Sequence, residues 1–96
     1  MLVLITYDVS TISDGGKKRL RRVAKKCEDF GVRVQNSVFE CIVDAAQLKS
    51  LEIELEELID PAVDSLRFYK LGNNHKYKVK HIGAKQSLDV EGPLIF

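Results

Sequence analysis

The residue with the plainest chemical potential is Asp8, which closes the otherwise apolar run "LVLITYD". A carboxylate at a strand end ordinarily forms a turn or caps a helix. It can also hold a hard divalent cation. Magnesium, or manganese in its place, is satisfied by one or two carboxylates while it keeps waters and recruits phosphate oxygens. An ion held beside a phosphodiester with a bound water is the starting arrangement of nuclease chemistry. One aspartate per chain is a thin site, however. Asp14 is better used at the start of the following helix, and Glu40 is only a candidate neighbour.

The complementary group lies just downstream. "KKRLRRVAKK", residues 17 to 26, carries seven cations and no acid: Lys17, Lys18, Arg19, Arg21, Arg22, Lys25 and Lys26. So dense a run reads as a phosphate-contacting surface, gaining affinity by counterion release and carrying no base information. Arg33, at the head of a short strand, can serve the same purpose. Residues 52 to 64 hold six acids and no cation, so the formal net charge of +1 conceals strong segregation. That acidic stretch is read as a solvated face, with docking of a basic partner as the alternative.

These groups need a frame. Residues 2 to 9 read as a strand that is mostly apolar on both alternating faces, which implies burial on both. Ser13 or Asp14 can cap the next helix. Leu20, Val23, Ala24, Cys27 and Phe30 form its single apolar stripe, and Gly31 is expected to end it in a left-handed conformation. "VRVQ" and "SVFECIVD" read as a hairpin turning at Asn36 and Ser37, with the second strand again apolar on both faces. Residues 45 to 59 form a second helix along Leu48, Leu51, Leu55 and Leu58, stopped by Pro61. "DSLRFYKLG" is a fourth strand, and "KYKVKHIG" alternates well enough to be a fifth.

The order strand, helix, strand, strand, helix, strand predicts an α+β fold. Two right-handed crossovers put both helices on one face of an antiparallel sheet, a ferredoxin-like βαββαβ sandwich with an extra C-terminal strand. The first and third strands then lie side by side at its centre, and they are the two that are apolar on both faces. A second copy of the chain is the simplest cover for the face that the helices leave, which predicts an obligate two-fold homodimer. Its core spans residues 1 to about 72, with residues 73 to 96 packing on the partner subunit. Near the two-fold axis each Asp8 can face its symmetry mate, and two close carboxylates either share a proton or bind a cation.

Composition narrows the remaining options. Ninety-six residues, 45% of them apolar and 30% charged, suit one globular domain. No apolar stretch approaches the roughly 20 residues that span a bilayer, and the N-terminus does not read as a signal peptide. A cytoplasmic protein is expected. Cys27 and Cys41 match no zinc or redox spacing and read as small buried hydrophobes. His75 and His81 stand apart from any ligand cluster. Neither "GG" nor "LGNN" is a P-loop. A small-molecule sensor would need ligand-binding glycines or loops that are not found.

With strand, aspartate and basic helix in hand, a resemblance emerges. "MLVLITYDVS", "GVRVQNSVFEC" and "SLRFYKLGNNHKYKVKHIGAK" resemble the small universal CRISPR adaptation protein, the Cas-two family, over nearly the whole chain. The "HIG" and "PLIF" ending looks most like the branch accompanying subtype I-C systems. The resemblance implies a ferredoxin-like homodimer that joins a larger integrase in spacer acquisition and holds duplex DNA. It also implies a metal-dependent endonuclease acting on double-stranded DNA or single-stranded RNA. The family's strand-end aspartate corresponds to Asp8, the implied catalytic residue and magnesium ligand. Arg33 and Phe39 match the family's arginine and aromatic, while Arg19, Arg21 and Arg22 match its helix arginines less closely. Tyr7 and Phe39 are supporting residues on this reading. Aromatics on central strands also suggest a base-stacking RNA platform, but the "RGFGFV" type of signature is absent. A non-catalytic DNA-binding scaffold between integrase dimers is the alternative to the nuclease.

Overall fold

Strand β1, Leu2–Asp8, sits inside a four-stranded antiparallel sheet of order β2-β3-β1-β4. The remaining elements are α1 (Gly16–Glu28), β2 (Gly31–Gln35), β3 (Val38–Ile42), α2 (Ala45–Leu58) and β4 (Ser65–Gly72). The computed structural model describes residues 1–10 and 15–72. The expected fifth strand, the tail on the partner, and the side chains of Ser13 and Asp14 all fall outside the described residues. Element order and strand order are those of the ferredoxin-like sandwich, with β1 and β3 adjacent as expected.

The core follows from the two periodicities. Along β1 and β3 alternate residues point toward the helices, and Val3, Ile5, Tyr7, Phe39 and Cys41 are fully buried there. They meet Leu20, Val23, Ala24 and Cys27 from α1 and Leu48, Leu51 and Leu55 from α2 in one cluster. Each Val, Leu, Ile or Phe side chain among them contributes roughly 1.5–3 kcal/mol by leaving water. The cysteines behave as read. Both are buried, and the Cys41 thiol lies 3.5 Å from the Cys27 carbonyl oxygen; the side-chain contact between the two thiols, together with burial, pushes the Cys27 thiol up.

Helix ends depart from the sequence reading in two places. The cap of α1 is Gly15, at φ 79°, which makes no side-chain hydrogen bond. At the other end, Gly31 is not left-handed; positive φ among the described residues occurs only at Gly15 and Gly72. The helix ends instead through right-handed Asp29, and Gly31 is the first residue of β2. Glycine is required there by space, because an added Cβ would lie 1.9 Å from the Glu40 carbonyl oxygen across the strand pair. Helix α2 opens on a reciprocal capping box. The Gln47 N–H donates to the Asp44 carboxylate at 2.7 Å, and the Asp44 N–H donates back to the Gln47 side chain at 2.9 Å.

Candidate functional site

The sheet face turned away from the helices can be read off the register, row by row. At one end Asp8 of β1 stands opposite Ser65 of β4. The next row runs Arg67, Thr6, Val38, Gln35. Behind it come Tyr69, Leu4, Glu40 and Val32, and then Leu2 with Ile42. The face is therefore graded: polar at the Asp8 end and mostly apolar toward the other. Asp8, Ser65 and Arg67 are exposed, Leu4, Val38 and Val32 are half-buried, and Tyr69 is 43% exposed.

Asp8 occupies the position that alternation predicts, on the same face as Leu4 and Thr6. Glu40, the candidate neighbour, is on this face but opposite Leu4. Four residues of strand put it about 13 Å along the sheet from Asp8, so it is no partner within the chain. Among the described residues no three His, Cys, Asp or Glu side chains converge to hold a metal ion. The donor set of a single chain is one exposed carboxylate. Its hard oxygens fit magnesium, which accepts one or two carboxylates and otherwise keeps its waters.

Tyr7 looks the other way. It is 1% exposed under the helices, and its hydroxyl donates to the Asp64 carboxylate. Phe39 is fully buried on the same side, so neither aromatic is available to stack a base, and the RNA-platform alternative loses its surface. Nothing local in the sequence marks Asp64, one acid among the six of residues 52 to 64. Its side chain is fully buried. It accepts from Arg19 Nε at 2.8 Å, from Arg19 Nη2 at 3.2 Å and from the Asp60 N–H at 3.0 Å. Burial pushes the carboxyl up, but the hydrogen bonds from Arg19, Tyr7 and Asp60 outweigh it and hold Asp64 at about 2. Burial, then the bond to Asp64, pushes the Tyr7 hydroxyl up to about 12.

The cations divide accordingly. Arg19 is turned inward onto Asp64, whereas Lys17, Lys18, Arg21, Arg22 and Lys25 are exposed. Lys17, Arg21 and Lys25 recur every four residues and share one side of α1. With Arg33 they line a groove of about 540 Å³ between the helix and the β2 edge, whose other lining residues are Leu20, Ala24, Glu28 and Asp29. Arg33 is held in place by its own turn. Its Nε donates to the Asn36 carbonyl at 2.7 Å, its Nη2 to the Asn36 side chain at 3.2 Å, and its guanidinium lies 5.8 Å from the Phe39 ring centre. On the opposite flank Lys26 pairs with Glu54 of α2 at 2.9 Å. The groove lies on the helix layer, and Asp8 on the other face of the sheet.

The family model "CRISPR associated protein Cas2" matches residues 1–79. This chain belongs to the Cas2 family. A Cas2 relative named CRISPR-associated endonuclease, from Halalkalibacterium halodurans, is 70% identical over 96 residues, all of both chains. One from Rhodospirillum rubrum, named a CRISPR-associated endoribonuclease, is 56% identical over 98% of this chain and 99% of its own. A crystal structure of Streptococcus pyogenes Cas2 at pH 6.5 superposes with a TM-score of 0.80 at 52% identity, covering 86% of this chain and 100% of that one. Membership of the family read from the motifs, and the ferredoxin-like fold, are thus both established. Among the described residues no helix is long and apolar enough to cross a membrane.

Proposed function

We propose that this Cas2-family chain is a magnesium-dependent endonuclease of CRISPR spacer acquisition, working as a homodimer whose paired Asp8 side chains hold the metal. The observation that carries this reading is the grading of the outer sheet face, with exposed Asp8 at its polar end and Leu4, Val32, Val38 and Ile42 behind it. A two-fold axis parallel to β1 would set row on row. Apolar rows of two copies would then bury one another, and the Asp8 rows would face each other at the mouth of the sandwich. This supplies the second carboxylate that a single chain lacks. When bound, magnesium would supply an activated water and neutralise charge building on the phosphate. The protein's share is to hold two carboxylates in register and to grip the neighbouring phosphates.

The test is cleavage of labelled duplex DNA and single-stranded RNA, with and without magnesium, by wild type and Asp8→Asn, with sedimentation on both. Metal-dependent cutting that vanishes in a still-dimeric Asp8→Asn supports the reading and names the substrate. Cutting that persists at the wild-type rate, or a monomer at micromolar concentration, rejects it.

A second reading is favoured by a separate observation. The Lys17, Arg21, Lys25 and Arg33 groove lies on the layer opposite Asp8, so phosphate can be held without involving the carboxylate. On that reading the protein is a non-catalytic DNA-binding scaffold joined to the integrase. Charge reversal in the groove should then block spacer acquisition, and Asp8→Asn should not.

A further inference from the structure

The groove beside α1 and the Asp8 site lie on different layers but reach the same end of the molecule. Strand β1 ends at Asp8, and β2 begins at Gly31, which lies level with Val3 across Cys41. Helix α1 must therefore run back along β1, with Lys17 at the Asp8 end and Lys25 toward the other. Strand β2 returns toward Asp8 and ends in the turn Asn36–Ser37, where the Ser37 carbonyl accepts the Tyr7 N–H at 2.9 Å. That turn is the rim between the groove and Asp8.

Cations mark a path to this rim. Lys17, Arg21 and Lys25 follow one another at about 6 Å along the helix, close to the separation of successive phosphates in one strand. Arg33 faces the groove from β2. Its bonds to Asn36 use Nε and Nη2, which leaves the Nη1 side of the fork for a ligand. The flank nearer α2 differs, because Lys26 is already paired there with Glu54 at 2.9 Å. Arg33 pairs with Phe39, whose side chain is buried under the helices, so the groove belongs to the helix layer and a second copy on the outer sheet face leaves it open.

We infer that this groove guides one polynucleotide backbone to Asp8, with phosphates on Lys25, Arg21 and Lys17 and Arg33 across from them, leading over the Asn36–Ser37 turn. The inference rests on the Asp8 site proposed above and joins it to the basic groove. Recognition is by the spacing of charge, so a single strand and one strand of a duplex present the same chemistry. Glu28 and Asp29, beyond Lys25, repel further phosphates. The track thus has a direction, and the gripped phosphates lie to one side of the bond at Asp8.

The experiment uses the full chain carrying Asp8→Asn, without magnesium, binding fluorescein-labelled oligothymidylates of graded length and the matching duplexes over a salt series. Lys17→Ala/Lys25→Ala should flatten the slope of log K against log salt by about 1.4 on single strands and about 1.8 on duplexes, the value for two lost phosphate contacts. Arg22→Ala, on the α2 flank, should leave both slopes unchanged. Ser37→Glu should weaken binding of oligonucleotides long enough to cross the rim and spare the shortest, while Ser37→Gln, of the same size, should bind like the parent. Unchanged slopes in the lysine variant overturn the groove. A loss in Arg22→Ala equal to that in Arg21→Ala places a second backbone on the other flank and overturns the single track. Weakening by Ser37→Glu at every length, or at none, overturns the path over the turn. If Asp8→Asn cuts like wild type in magnesium, the nuclease reading fails separately, and the binding measurements still decide the track.

Discussion

Tyr7 and Asp8 are neighbours in the chain and point to opposite sides of the sheet. Tyr7 is buried under the helices with its hydroxyl on Asp64, while Asp8 is exposed on the outer face. The two residues of one motif thus have unlike duties. Tyr7 ties the end of β1 to Asp64 at the start of β4, and Arg19 ties α1 to the same carboxylate. The position of Asp8 follows from that three-element junction.

Replacing Asp64 should therefore cost more than any surface change. Asp64→Ala leaves a buried Tyr7 hydroxyl, the inward-facing Arg19 guanidinium and the Asp60 N–H without their acceptor. Breaking a buried pair from one side costs about 3–5 kcal/mol. For a domain of this size, thermal unfolding should fall by at least about 12 °C. A shift below about 4 °C would mean that the junction contributes little.

The same junction sets a pH window. Asp64 is held at about 2 in the fold against an ordinary 3.8. Between these values the unfolded chain binds the extra proton, so stability rises with pH there and the contribution is fully present above about 4. It amounts to about 2 kcal/mol and is lost as pH falls through 2. Tyr7 acts at the other end. Its value is raised from 10 to about 12, so its contribution is present below 10 and lost as pH rises through 12. The Tyr7–Asp64 hydrogen bond enters both shifts, so the two amounts do not simply add. Urea unfolding of wild type between pH 2 and 5 should show the acid-side loss, and Asp64→Asn should flatten it.

Gly31→Ala tests the close approach of β2 to β3. The new Cβ would meet the Glu40 carbonyl oxygen at 1.9 Å and Cys41 Cα at 2.7 Å, both backbone atoms that cannot rotate away. Separating the strands is the only relief. The variant should lose roughly 1–3 kcal/mol, the range for overpacking, measured by chemical denaturation. Unchanged stability would show that the edge strand shifts freely.

The basic helix should divide by function under charge reversal. Arg21→Glu, on the exposed groove flank, should weaken duplex binding and flatten its salt dependence while leaving the melting temperature within about 2 °C. Arg19→Glu sets a carboxylate against buried Asp64 and should destabilise the fold by about 3–5 kcal/mol. A filter-binding series with parallel thermal melts distinguishes them. Equal effects on binding with no effect on stability would contradict the inward placement of Arg19.

The sequence by itself determined the element order, the sandwich topology and the face of Asp8. Each rests on local periodicity: apolar residues alternate along β1 and β3, recur at helical spacing on α1 and α2, and the short connections admit few topologies. It also determined that a dense cationic surface exists, since charge on a helix is additive and visible. Only the tertiary structure decided which cation faces where. Arg19 and Arg21 look alike in "KKRLRRVAKK", yet Asp64, 45 residues further on, draws one of them inward. The space around Gly31 is likewise set by Glu40 and Cys41 of the adjoining strand. Arg67 came beside Asp8 through the β1–β4 register alone, because pairing between strands 57 residues apart leaves no local trace in either segment.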